Sequence, residues 1–487
     1  MALASNKAAV ISLVLVLFCS NSISAEGLSL KPEINIQETY SDNVFLTSTG
    51  SKSNDFITVF TPGFVLLDKT RRLDIKLSYS LQNVFYMDNG SYNDQFNLLD
   101  SDNKIELIDD HGFLNFSANI FPQNNLSGNV RDRAVDTLSI QGNRTDAFTY
   151  RIGPSWKQRI GDISNINLEY ERNGVISDLF NSNQLQNRIS NSTSNRYYLT
   201  ASAGPRFQRL LWKISYDDNN INHESGQNVR FRDLDSNFTF LLTRKFGLTA
   251  EFGYEDNVYS NVVNAIGGRH WKIGFTWNPS MHTSVSYAGG ERYFGTDQSA
   301  KISYNHKKIR LSFIYKEMPQ TTRTRLLQRH EVNFTNSFGE PVVNPNITGI
   351  GSTDFSQPLQ TDEVYISRRA TTAFEYKSRK NKITMQFNFV KRDYQLTREK
   401  EIERDLGFTW EWYVGRRTKS ILFINWIKDK FRTGEDSEFG QVKYTLRRDL
   451  SDVLYLDVGY QYAIDNSNLP GRDFEENRIY ASLNKTF

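Results

Sequence analysis

The sequence predicts an all-β protein: one closed, antiparallel β-barrel of about 22 strands (range 18–24) that crosses a membrane. Three observations predict it. The chain opens with a secretory signal, alternates polar and apolar residues almost to its last position, and separates its strands by short turns and long loops in alternation.

Composition sets the frame. The 487 residues include 33 Phe, 24 Tyr, 7 Trp, 11 Pro and one Cys, with a formal charge of +3 and a mean hydropathy of −0.55. A helical membrane protein needs repeated apolar runs of about 20 residues, and these are missing. A disordered chain does not carry 13% aromatic residues. A near-neutral balance offers no footprint for nucleic acid, and one Cys excludes a disulfide scaffold. A barrel fits, because its alternating faces cancel in the hydropathy average.

The first element is residues 1–25. Lys7 supplies the charge, Ala8 to Phe18 an apolar core too short to span a bilayer, and Ile23-Ser24-Ala25 a small residue for cleavage. The mature barrel is expected over 26–487. Cys19 follows Phe18, where a lipid-acceptor site requires a small residue, so it is expected to leave with the signal. The alternative is a membrane anchor over 8–19.

The strands follow. Leu73, Ile75, Leu77, Tyr79 and Leu81 share one face, with Asp74, Lys76, Ser78 and Ser80 on the other. The same period of two recurs at Trp271–Trp277, Ile309–Tyr315, Ile383–Phe389 and Leu454–Tyr462. No capped helical stretch competes after residue 26. The first strand is expected near Ile34 and Ile36, which leaves no room before it for a plug domain.

The connections sort by length. Short turns such as Asp68–Arg72, Asp109–Gly112, Asn278–His282 and Arg447–Ser451 alternate with loops such as 41–55, 121–145, 174–195, 317–362, 390–404 and 428–438. Outer-membrane barrels place short turns in the periplasm and long loops outside. The chain ends on Phe487, an aromatic terminus that suits a signal to the barrel-assembly machinery, although Lys485 stands where an apolar residue is usual.

Four stretches are familiar: Glu38 to Leu46, Gly142-Asn143-Arg144-Thr145 with Tyr150 and Trp156, Trp277-Asn278-Pro279-Ser280 with Arg292-Tyr293-Phe294-Gly295, and Asp473 to Arg478. Together they resemble a family of outer-membrane β-barrels from PEP-CTERM/exosortase loci, which also encode exopolysaccharide synthesis. The resemblance implies a setting in exopolysaccharide export or surface attachment, with periplasmic polysaccharide-export proteins as partners. It brings no catalytic residues.

Candidate chemistry is sparse. His111, His223, His270, His282, His306 and His330 show no ligand spacing, and no Ser–His pair has an orienting acid, so neither a metal, a cofactor nor an enzyme is expected. Residues opposite the apolar faces are expected to line a lumen: Asp74, Lys76, Glu169, Lys213, Lys301, Arg310, Gln386, Glu411, Asp457 and Gln461. Their mixed signs argue against a filter for one ion. The longest loop, 319–361, carries Arg323, Arg325, Arg329, Phe334 and Phe338 and is expected to fold into the mouth. The functional expectation is a conduit or terminal component for exopolysaccharide in the bacterial outer membrane. The alternatives are a general or solute-selective porin and a non-transporting attachment barrel that binds polysaccharide.

Overall fold

The computed structural model describes residues 23–25, 27–48, 50–124, 137–140, 144–177, 190–226, 228–259, 266–328, 363–432 and 434–487. Twenty-two strands, from Leu28–Ser41 to Phe474–Thr486, form one ring in which each strand pairs with its sequence neighbours. Every pairing is antiparallel. The ring closes between the first and last of these strands, with Ile36 opposite Leu483 and Thr39 opposite Tyr480. A three-residue strand, Ile23–Ala25, folds back on Leu28–Leu30. It occupies the edge left where the closing pairs stop at Glu33 and Thr486.

Alternation fixes the two faces. Along Leu73–Tyr86, Ser78, Ser80, Gln82 and Val84 are buried, whereas Phe85 on the opposite parity is exposed. Elsewhere Phe252, Ile273 and Ile479 stand 52–60% exposed, next to buried Glu255, His270 and Arg478 on the other parity. In water that order would be inverted. It is the order of a barrel whose outer surface is solvated by lipid and whose inner wall is polar. The protein is an outer-membrane β-barrel.

The strands run from 10 residues (Thr283–Arg292) to 17 (Arg144–Ile160). About 9–11 residues suffice to cross a bilayer at the usual tilt, so many strands continue above it. This corrects the expected loop lengths. The connection in 390–404 shrinks to residues 395–399 and that in 428–438 to 431–435, because their flanks remain paired.

The expectation of no helix is also corrected. Thr322–Gln328 is helical and follows directly on the strand Ile309–Gln320. Thr321 caps it, its hydroxyl accepting the Thr324 backbone N–H at 3.2 Å. Leu, Arg and Gln then favour the helix once Pro319 and the cap have ended the strand.

Candidate functional site

Two segments enter the barrel at its long-loop end. The first is residues 137–140. Leu138 is 2% exposed and packs with Val44, Ile57, Val59, Val84, Tyr86 and Phe96. Val44 lies in the turn after the strand Leu28–Ser41, and the other five are inward positions of neighbouring strands. Its polar groups are matched as well. Thr137 donates its hydroxyl to Gln82 at 2.8 Å, and the Tyr86 hydroxyl donates to the Leu138 carbonyl at 3.0 Å. Arg478 donates to the Ser139 hydroxyl at 2.8 Å, and the Ile140 N–H donates to the Val44 carbonyl at 2.8 Å. Arg478 is itself held by Glu476 at 2.7 Å, which also accepts the Ser41 hydroxyl at 2.6 Å.

The second segment is the helix Thr322–Gln328. It leaves its own strand and meets the wall built by Arg144–Ile160, Ser164–Ser177 and Ser192–Ala203, seven to nine strands away around the ring of 22. Arg323, 2% exposed, carries the contact. Its Nε donates to Ser192 Oγ at 2.8 Å, and its Nη2 donates to the Asn173 carbonyl at 3.1 Å and to the Asn173 side-chain oxygen. Arg151 donates to the Leu327 carbonyl at 3.3 Å. Leu326 and Leu327 pack on Val175. Burial pushes the Arg323 guanidinium down to about 10, with the Glu171 carboxylate acting against that shift. It therefore stays charged at neutral pH.

Between these segments the inner wall is a mesh of ion pairs. Arg292 bonds Asp233 at 2.8 Å and Glu255 at 3.0 Å, and Lys272 bonds Asp297 at 2.8 Å. His270 Nε2 lies 2.6 Å from Asp235 and 3.8 Å from Asp233. Asp233, Asp235 and His270 each bring one ligand atom within 4.8 Å of the others, a spacing compatible with a cation, but the Arg292 guanidinium already pairs with Asp233. Tyr293, in the turn after Arg292, shares a 2.9 Å hydrogen bond with Tyr259, and burial raises its phenol above the ordinary value. Farther round, Arg392 bonds Glu403 at 2.7 Å, Arg432 bonds Glu363 at 3.3 Å and Arg472 bonds Glu435 at 3.1 Å. Sequence reasoning missed the His270 group. Its acids lie 35 and 37 positions from His270 and meet it only because Val229–Leu241, Phe246–Tyr259 and Ile266–Ser280 pair in register.

The sequence-predicted lumen residues all fall on the inward parity. Asp457 is buried and takes two bonds from Arg447, each at 2.8 Å. Glu411 sits between Lys382 at 3.5 Å and Lys419 at 3.1 Å. Arg310 meets Glu375 at 3.3 Å, Gln386 donates to Asn388 at 3.3 Å, and Lys213 reaches the Tyr198 hydroxyl at 3.5 Å. Gln461 is buried, Asp74 and Glu169 are half-buried, and Lys76 and Lys301 are exposed. The structure does not gather them; they are spread round the ring. Of the predicted loop set, Arg323 is placed as described. The Arg325 side chain and Arg329, Phe334 and Phe338 lie outside the described residues. Phe487 donates its N–H to the Pro32 carbonyl at 2.9 Å, beside the Lys485 ammonium.

A closed ring of 22 antiparallel strands defines a large barrel of the outer-membrane class. Solved barrels share that architecture. The chain is similar to a mutant of the ferric enterobactin receptor PfeA from Pseudomonas aeruginosa in complex with enterobactin, at 10% identity, covering 96% of this chain and 82% of that one with a TM-score of 0.51. It is also similar to the FrpB iron transporter from Neisseria meningitidis, at 9% identity, covering 94% and 81% with a TM-score of 0.52. No family model and no curated protein matches the chain.

These findings overturn the resemblance to PEP-CTERM/exosortase barrels, and with it the exopolysaccharide conduit and its periplasmic export partners. The two barrels named above are a ferric enterobactin receptor and an iron transporter. Stretches that suggested the resemblance have structural roles in this barrel. Glu38 to Leu46 and Asp473 to Arg478 meet across the closing seam, where Asn477 donates to Asp42 at 2.7 and 2.8 Å. Asn278 to Ser280 end a hairpin at an irregularity in register, and Arg292 belongs to the ion-pair mesh. The protein is a closed barrel resident in outer-membrane lipid.

Proposed function

We propose that the protein is a solute-selective outer-membrane transporter whose passage is set by the two segments in its mouth. The observation that carries this reading is the buried Arg323 contact, which ties a helix from one side of the ring to the wall on another. A ring of 22 strands with an unobstructed lumen would leave a wide aqueous hole. Filling the mouth converts that hole into a passage with a size limit. The inward Asp74, Lys76, Glu169, Lys213, Lys301, Arg310, Gln386, Glu411, Asp457 and Gln461 supply a mixed-charge, amide-bearing wall suited to a small hydrophilic solute. That barrels of similar fold include a ferric enterobactin receptor and an iron transporter supports transport of a discrete solute over export of a polymer. Residues 1–25 serve as the export signal, and Phe487 as part of the assembly signal.

The test replaces 322–359 by a short Gly/Ser turn. Single-channel conductance in planar bilayers is expected to rise several-fold, and liposome swelling is expected to extend to larger sugars. Unchanged conductance and sugar cut-off from a barrel that still inserts would refute the reading.

A further inference from the structure

The outer wall carries a charge arrangement that transport does not use. On four consecutive strands, Tyr365–Lys377, Asn381–Tyr394, Lys400–Tyr413 and Thr418–Lys430, the outward apolar run ends at one level towards the long-loop end. At that level each strand places a cation. Lys391 follows Phe389 on its face, Arg404 adjoins Leu406, Lys428 follows Trp426, and Arg368 completes the row. Register sets them side by side. Arg368 lies directly opposite Lys391, Arg404 lies directly opposite Lys428, and Phe389 opposite Arg404 joins the two pairs.

Like charges directly opposite in a sheet repel. The acids nearby relieve only the flanks. Glu317 meets Arg368 at 3.2 Å, Asp393 contacts Arg368 and lies 3.9 Å from Lys391, and Glu438 meets Lys428 at 3.1 Å. Arg404, in the middle and exposed, has no ion-pair partner among the described residues. The outward cluster farther round the ring is different. There Arg230 and Arg232 are matched by Asp218 and Asp256 at 2.5–3.5 Å.

We propose that Arg368, Lys391, Arg404 and Lys428 form a binding site for the phosphorylated headgroup of an outer-leaflet lipid. The level is right, because the cations begin where the lipid-facing apolar band stops. The chemistry is right, because guanidinium and ammonium groups in a row complement phosphate oxygens, the Arg fork bidentately. The acyl chains of the same lipid would lie down the apolar face below, against Phe389, Leu406 and Trp426. One ligand thereby neutralises the row and covers the adjoining wall.

The test uses the full-length barrel purified in mild detergent, with retained lipid read by native mass spectrometry. The probes are bisphosphorylated lipid A, the same lipid stripped of its phosphates, and inorganic phosphate as competitor. Wild type is expected to retain the phosphorylated lipid at least tenfold over the stripped one. Each cation at an anionic lipid surface contributes roughly fivefold, so Arg404→Gln with Lys428→Gln should cut retention by about 25-fold, while Arg404→Lys should keep most of it. Excess inorganic phosphate should not displace the lipid. Equal retention of the two lipids, or no effect of the double substitution, overturns the proposal. Displacement by inorganic phosphate alone would also overturn it, by marking a soluble-anion site. Should the double variant fail to fold on a heat-modifiability gel, the two lipids on wild type decide the matter.

Discussion

The two segments in the mouth are held by opposite means. Residues 137–140 are embedded through Leu138 in a cluster of six apolar side chains, with hydrogen bonds spread over several strands. The helix Thr322–Gln328 has two leucines at the wall and is tied to it mainly by the buried Arg323 guanidinium, with one further bond from Arg151 to the Leu327 carbonyl. Apolar burial is spread over many contacts and is lost gradually. A buried cation bonded to two residues is lost at once if its geometry fails. The first segment is thus part of the wall, and the second is an insert held chiefly by one buried cation.

The sharpest break in that comparison is Leu138→Ala. Removing a buried leucine side chain should cost about 3 kcal/mol in urea unfolding of the reconstituted barrel, with a small rise in conductance. Arg323→Ala should cost less, about 2 kcal/mol, because it strands Asn173 and Ser192 without partners. It should nevertheless raise conductance more than Leu138→Ala does. The reverse ranking of conductances would mean that both segments are fixed or both are loose. The smallest expected effect concerns pH. Burial lowers the folded-state value of Arg323 to about 10. The cost of burying its charge is therefore fully present below that value and fades only as pH rises through it. Conductance gated by Arg323 should be flat between about pH 5 and 9, and a transition in that window would assign the gate to another group.

Strand number and facing were legible in the sequence, because Leu73 to Leu81 and its counterparts alternate without interruption and a one-residue slip would expose the wrong face to lipid. The mouth was legible in part. A loop of over forty residues announced itself by length, and Arg323 by its place in that loop. The segment 137–140 did not, since Thr-Leu-Ser-Ile in isolation has no period and acquires partners only through Val44, Tyr86 and Arg478, the last of them 339 positions from Ser139. The Arg368–Lys428 row was hidden for a related reason: its members lie in four separate strands and become neighbours only through register. The family resemblance misled because short turn and seam motifs report how barrels close, not what passes through them.

The closing seam has a kinetic consequence. Ser41 and Glu476, and Asp42 and Asn477, are joined over 435 positions, whereas every other pair of strands in the ring follows directly in sequence. Contacts of such long range form late, since the whole intervening chain must be ordered first. Hairpins can therefore accumulate as a growing curved sheet with two open edges, and the seam zips last. Until then each edge is a template for mispairing with another chain. The cluster of Ser41, Asp42, Asn43, Glu475, Glu476 and Asn477 acts as the clasp that ends this exposure, and its side-chain bonds make the correct register recognisable at the final step.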